Sequence, residues 1–141
     1  MDPPGRTAAG GGQVSLPLVM LALANAALFA LGAWWHAGLP FGEIAEPLRL
    51  VTTVLEAAAA LLLLGAGAGT LLSAPWAFRH AAFAHCFALV VVLASGMLLA
   101  LDHAPSSPSF RTMQILRVVF AGLCLVLVSQ RARATVPDRF S

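Results

Sequence analysis

Apolar residues collect in four long runs, and most polar residues fall between them. The runs cover about 14–35, 48–72, 76–101 and 112–129. Each approaches or exceeds the roughly 20 residues needed to cross the hydrocarbon core of a bilayer as a helix. None alternates apolar and polar residues as a barrel strand does. Backbone polar groups in lipid must be satisfied within the segment, so the pattern predicts four transmembrane helices.

The segments between the runs are short and rich in helix-breaking residues. Residues 36–47 carry Gly38, Pro40, Gly42 and Pro47; Ser73-Ala74-Pro75 joins the second and third runs; 102–111 includes Pro105-Ser106-Ser107-Pro108-Ser109. Proline punctuates each link. Links this short place successive helices antiparallel, so the expected fold is all-α: a polytopic integral membrane four-helix bundle running up-down-up-down. Residues 1–13, with Gly10-Gly11-Gly12, read as a flexible tail ahead of a helical domain over 14–130, and 131–141 as a second tail.

Arginine placement predicts the orientation. Arg6, Arg79, Arg131, Arg133 and Arg139 fall on the side of the termini and the middle link. Arg49 and Arg111, on the other side, are offset by Glu43, Glu46 and Asp102. The positive excess marks the first side as cytoplasmic, with both termini inside a cell membrane. Trp34 and Trp35 are expected at the outer interface, Trp76 and Phe78 at the inner one. Ala24-Asn25-Ala26 mimics a signal-peptidase site, but the apolar run continues to Trp34 and Trp35. An uncleaved first helix is the expectation, since a signal h-region is only about 7–15 residues long.

Composition agrees with lipid as the solvent. Of 141 residues, 60% are hydrophobic and 10% charged, against about 25% charged in soluble domains. Mean hydropathy is +0.88. The length allows one compact unit. A net charge of +2, without a basic cluster interleaved with aromatics, argues against a nucleic-acid partner. Cys86 and Cys124 both lie in apolar runs and read as small buried hydrophobes rather than a disulfide or metal set.

Two charges inside the runs stand out. Glu56 is eight residues from Leu48, and Arg117 five from Thr112. At 1.5 Å per residue both lie roughly 8–12 Å below the outer edge. Ionisable groups at such depth are costly and are usually paired or functional. Thr52, Glu56, Ala59, Leu63 and Gly67 share a stripe of the second helix, and Arg111, Gln114 and Arg117, at three-residue spacing, are expected to share a face of the fourth. Three readings stay open: a register-fixing ion pair, an outward polar pocket that binds a ligand or carries protons, or two charges that never meet, with Arg117 snorkelling upward. Asn25, on a stripe with Phe29, Gly32 and His36, is expected either to make an interhelical hydrogen bond or to line the cavity of Glu56, and Ser95 to join either arrangement.

His36 and His103 fall at the outer boundary, His80 at the inner one and His85 just over one turn deeper. An outer and an inner pair invite a haem reading, but boundary histidines are more often simply interfacial, and no cofactor is expected. No P-loop, GxSxG or HExxH motif is present. Gly65-Ala66-Gly67-Ala68-Gly69-Thr70 lacks GK[ST] and reads as a helix-packing face.

Four short helices with a glutamate early in the second resemble the DoxX-like family, best over 55–65, where the glutamate precedes a small-residue and Leu-rich run ending in Gly65. Gly32-Ala33-Trp34-Trp35-His36 and Phe41-Gly42 stand at the family's first-helix end, without its Gly-x-x-Lys. The resemblance implies a small bacterial membrane protein, associated with redox or thiol-stress systems, among whose relatives are membrane subunits of oxidoreductase complexes. Three functional expectations follow: an accessory or scaffolding subunit without an active site, a small transporter or ligand-binding bundle using Glu56, Arg117 and Asn25, or a quinone- or haem-linked redox subunit. Expected partners are the lipid bilayer and either other membrane subunits or further copies of the chain.

Overall fold

The computed structural model describes residues 15–39, 48–101 and 108–134. The expected tail over 1–13, the orienting residues Arg6, Glu43, Glu46, Asp102 and Arg139, and His103 lie outside the described residues. Within them the chain forms four α-helices and no strand: α1 (Leu16–His36), α2 (Leu50–Leu71), α3 (Ala77–Leu101) and α4 (Pro108–Ala134). All four are long and apolar enough to cross a membrane.

The largest difference from the sequence reading is in α4, which begins at Pro108 and continues to Ala134 rather than covering 112–129. Proline lacks only an N–H that the first helical turn leaves unpaired anyway, so it starts this helix instead of delaying it. At the other end Gln130, Arg131 and Ala132 are good helix formers, and leaving an apolar run gives them no reason to uncoil.

The link between α2 and α3 is a compact reversal. Ala74 N–H donates to the Gly69 carbonyl at 2.9 Å and Ser73 N–H to the Thr70 carbonyl at 3.1 Å. This is a Schellman cap, and its left-handed position is held by Ser73 at φ 53°. At the end of α1 the equivalent position is Gly38, at φ 73°.

The helices form a ring: α1 packs on α2 and α4, and α3 packs on α2 and α4. Small side chains make the contacts close. Ala26, Ala59, Ala60, Ala66, Ala81, Ala84 and Ala88 are all buried in one core with Phe29, Leu63 and Val91. A β-carbon added at Gly67 would come within 2.9 Å of Leu23 Cδ2. Without a hydrophobic drive between helices in lipid, such close packing supplies the attraction.

The radial pattern inverts that of a soluble protein. Leu61, Val90, Leu93, Met97 and Ile115 are among many large apolar side chains that face outward, whereas Glu56 and Arg117 have no exposed surface. Two threonine hydroxyls of α2 bond back to their own backbone: Thr70 Oγ1 donates to the Ala66 carbonyl at 2.8 Å and Thr53 Oγ1 to the Arg49 carbonyl at 3.0 Å. Four apolar helices arranged in this way make the chain a small multi-pass integral membrane protein with its outer surface in contact with lipid.

Candidate functional site: a buried charge pair across the bundle

Glu56 and Arg117 come from α2 and α4, which lie diagonally across the ring. Arg117 is long enough to cross the interior: its Nη1 donates to Glu56 Oε1 at 2.6 Å. The same Nη1 donates to Gln114 Oε1 at 3.2 Å, one turn earlier on α4. Nη2 donates to the Leu28 carbonyl of α1 at 2.7 Å and faces Met113 Sδ at 3.9 Å. The guanidinium carbon sits 4.5 Å above the centre of the Phe29 ring. One cation therefore holds α1, α2 and α4 together. It does not climb toward the boundary, because its acceptors lie inward.

The approach depends on the local sequence of α1. In a helix the Leu28 carbonyl points toward residue 32. A β-carbon at that position would overlap Arg117 Nη2 and Glu56 Oε2. Glycine at 32 therefore leaves the Leu28 carbonyl open on the inner face, and the guanidinium takes it as an acceptor. The same device recurs lower in the bundle, where His80 Nε2 donates to the Leu62 carbonyl at 3.1 Å. A β-carbon at Gly65 would stand 2.9 Å from that nitrogen.

The stripes on α1 and α2 all face inward: Asn25, Phe29, Gly32 and His36 on one, Thr52, Glu56, Ala59, Leu63 and Gly67 on the other. The three-residue series on α4 does not stay on one face. Arg111 is exposed, Gln114 half-buried and Arg117 buried. Each three-residue step falls about 60° short of a full turn, so the series winds from the outer surface to the interior.

His36 stands beside the pair. It is buried at the end of α1, with Nε2 4.0 Å from Glu56 Oε2 and its ring edge-on to Phe110 at 5.6 Å. It is thus part of the interior rather than an open boundary residue. Asn25 and Ser95 are wholly buried but do not hydrogen-bond to the pair. Both side-chain heteroatoms of Asn25, Ser95 Oγ, Glu56 Oε2, Gln114 Nε2 and Arg117 Nε have no hydrogen-bond partner among the described residues. The interhelical bond expected of Asn25 is therefore not made. Its stripe position carries it inward, but no polar group of the neighbouring helices meets it.

The remaining candidates separate. His85 is buried, with Nδ1 donating to the Ala81 carbonyl of its own helix at 2.7 Å. His80 also packs edge-on against Trp76 at 5.4 Å. Among the described residues, three or more His, Cys, Asp or Glu side chains do not gather where a metal could be held. Cys124 is buried, but Cys86 is exposed, contrary to the reading of both as interior. It lies next to His85, off the inward stripe of Ala81, Ala84, His85 and Ala88, so an apolar run does not make it a core residue.

Gly32, the Leu28 carbonyl, the Phe29 ring and the contact of His36 with Glu56 did not figure in the sequence reading of the pair. Gly32 was the available signal, since it lies four residues after Leu28 on the stripe of Asn25 and His36. Comparison with family models, curated proteins and solved structures returns no match for this chain.

Proposed function

We propose that the chain is a DoxX-like protein of a bacterial cell membrane, running up-down-up-down with both termini cytoplasmic. In this reading it is an accessory, scaffolding subunit of a redox-associated membrane complex and has no active site of its own. The observation that carries it is the closure of the charged centre on itself: Arg117 uses its two terminal nitrogens on acceptors from α1, α2 and α4. A cation shared among three helices acts as a clasp that fixes register.

The topology is supported by contacts at the helix ends. Arg49 N–H at the head of α2 donates to the His36 carbonyl at the end of α1, at 2.8 Å. Arg131 near the end of α4 lies over the Phe78 ring at the start of α3. The arginine excess supports cytoplasmic termini.

The test is purification of tagged chain from native membranes in mild detergent. Copurification with a larger oxidoreductase assembly in fixed stoichiometry is expected. Isolation of the chain alone with its full cellular activity overturns the reading.

A second reading, a small ligand-binding or transport bundle, is favoured by the unpartnered atoms of Asn25, Ser95, Gln114 and Glu56. A buried polar group left unpaired costs about 1–3 kcal/mol. Glu56 and Gln114 belong to the charged centre itself, and their open atoms suit a site that is completed by something polar.

A further inference from the structure

Two neighbouring residues of the charged centre carry donors that no acceptor among the described residues meets. Arg117 Nε and Gln114 Nε2 are donors only, on consecutive turns of α4, and Asn25 Nδ2 is a third. Elsewhere in the interior stand Glu56 Oε2, Asn25 Oδ1 and His85 Nε2 as acceptors, Trp35 Nε1 as a further donor, and Ser95 Oγ able to act as either. Gln114 already uses its carbonyl oxygen on Arg117, so its amide nitrogen can meet only an acceptor. A ligand that supplies oxygen acceptors fits these two α4 donors better than a cation or an apolar molecule.

Charge sets a second condition. Glu56 and Arg117 sum to zero, and each neutralises the other in an interior of low dielectric. An anion placed on the guanidinium edge would leave one net negative charge buried among lipid-facing helices, and an unpaired buried charge is prohibitively costly. It can be held there only if a proton enters with it. Glu56 Oε2 is the place for that proton, since Oε1 is the oxygen that receives Arg117. The charged or titratable groups facing the carboxylate are Arg117 from α4 and His36 from α1. On α3, His85 is turned to the Ala81 carbonyl and His80 to the Leu62 carbonyl.

We propose that this centre binds a small organic carboxylate together with one proton: the carboxylate against Arg117 Nε and Gln114 Nε2, the proton on Glu56 Oε2. The proposal rests on the ligand-binding reading and gives it a ligand class. A proton from the water phase neutralises Glu56, and the incoming carboxylate takes over as the counter-charge of Arg117. The charge of the interior is the same before and after.

The experiment is calorimetric titration of the purified full chain in detergent, with benzoate and its neutral isostere benzamide, each in two buffers of different ionisation enthalpy. Benzoate is expected to bind with uptake of about one proton, the linkage that charge balance demands, and benzamide is expected to bind far more weakly. Benzoate binding without proton uptake, or benzamide binding equally well, overturns the proposal and leaves the ligand-binding reading standing. Binding of neither overturns both. In Glu56→Gln the proton uptake is expected to vanish while benzoate still binds; persistent uptake overturns the assignment to Glu56. Gln114→Leu removes this donor, and with it one acceptor of Arg117 Nη1, while both charges stay in place. It is expected to weaken benzoate by roughly tenfold or more, as loss of one hydrogen bond to a charged ligand does, with the proton stoichiometry kept. Unchanged affinity there rules out the placement on α4.

Discussion

Gly32 lies flat against the guanidinium of Arg117. A side chain of any size at residue 32 would occupy the space now held by Nη2 and by Oε2 of Glu56. The charged centre thus needs a glycine on a third helix. Gly32→Ala is expected to destabilise the protein by about 1–3 kcal/mol, the usual cost of forcing extra volume into a packed interior. Gly96→Ala and Gly122→Ala are the controls, since a β-carbon at either meets nothing within 4 Å. Both should be neutral or slightly stabilising, because alanine is the better helix former. Denaturation in mixed detergent–SDS micelles, followed by far-UV circular dichroism, separates the three. Equal effects at all of them would show that residue 32 is not special.

The Glu56–Arg117 pair should behave as a unit. Removing one partner of a buried ion pair leaves the other uncompensated, at a cost of about 3–5 kcal/mol. Arg117→Leu and Glu56→Leu are each expected to fall in that range or to fail to accumulate. The double variant should recover most of the loss, because two apolar side chains leave no orphan charge. A thermodynamic cycle over the four proteins measures this coupling. Additive losses would mean that the two groups contribute separately.

Much of the fold was legible from hydropathy alone. Helix number and type follow from run length, because lipid admits few alternatives. The depth match of Glu56 and Arg117 could also be computed, since rise per residue is nearly constant. Other features were not legible because they depend on how faces meet across space. Asn25 was placed on the correct inward stripe, yet whether a partner waits there is decided by three other helices. The spacing of Arg111, Gln114 and Arg117 looks like one face because each step of three approximates a turn, but the lag of about 120° over two steps carries Arg111 outside. Cys86 shows the same limit: a small apolar residue of a spanning helix suits either side, so composition cannot tell the lipid side from the core side.

Lysine should not replace arginine at position 117. The guanidinium reaches Glu56 and Gln114 through Nη1 and the Leu28 carbonyl through Nη2, while its flat face covers Phe29. An ammonium is a single point of donation and cannot reproduce the two separated branches or the stacking. Arg117→Lys keeps the charge and is expected to lose about 1–3 kcal/mol, the cost of one buried acceptor left unpaired. The same micelle denaturation reads it, and wild-type stability would reduce the role of Arg117 to charge alone.

The turn between α2 and α3 offers the opposite test, a substitution that should stabilise. Ser73 holds the left-handed position of the Schellman cap at φ 53°. An L-residue pays roughly 1–2 kcal/mol for that conformation, and glycine almost none. Ser73 is exposed, so replacing it removes no core packing. Against the gain stands the larger entropy of glycine in the unfolded chain, about 0.5–1 kcal/mol. The net expectation for Ser73→Gly is a gain of roughly 0.5–1 kcal/mol, with the caps from Ala74 to Gly69 and from Ser73 to Thr70 intact. Ser73→Val, β-branched and poorly suited to positive φ, should lower stability at the same site. If both variants unfold at the wild-type denaturant midpoint, the left-handed geometry at residue 73 does not limit the stability of the reversal.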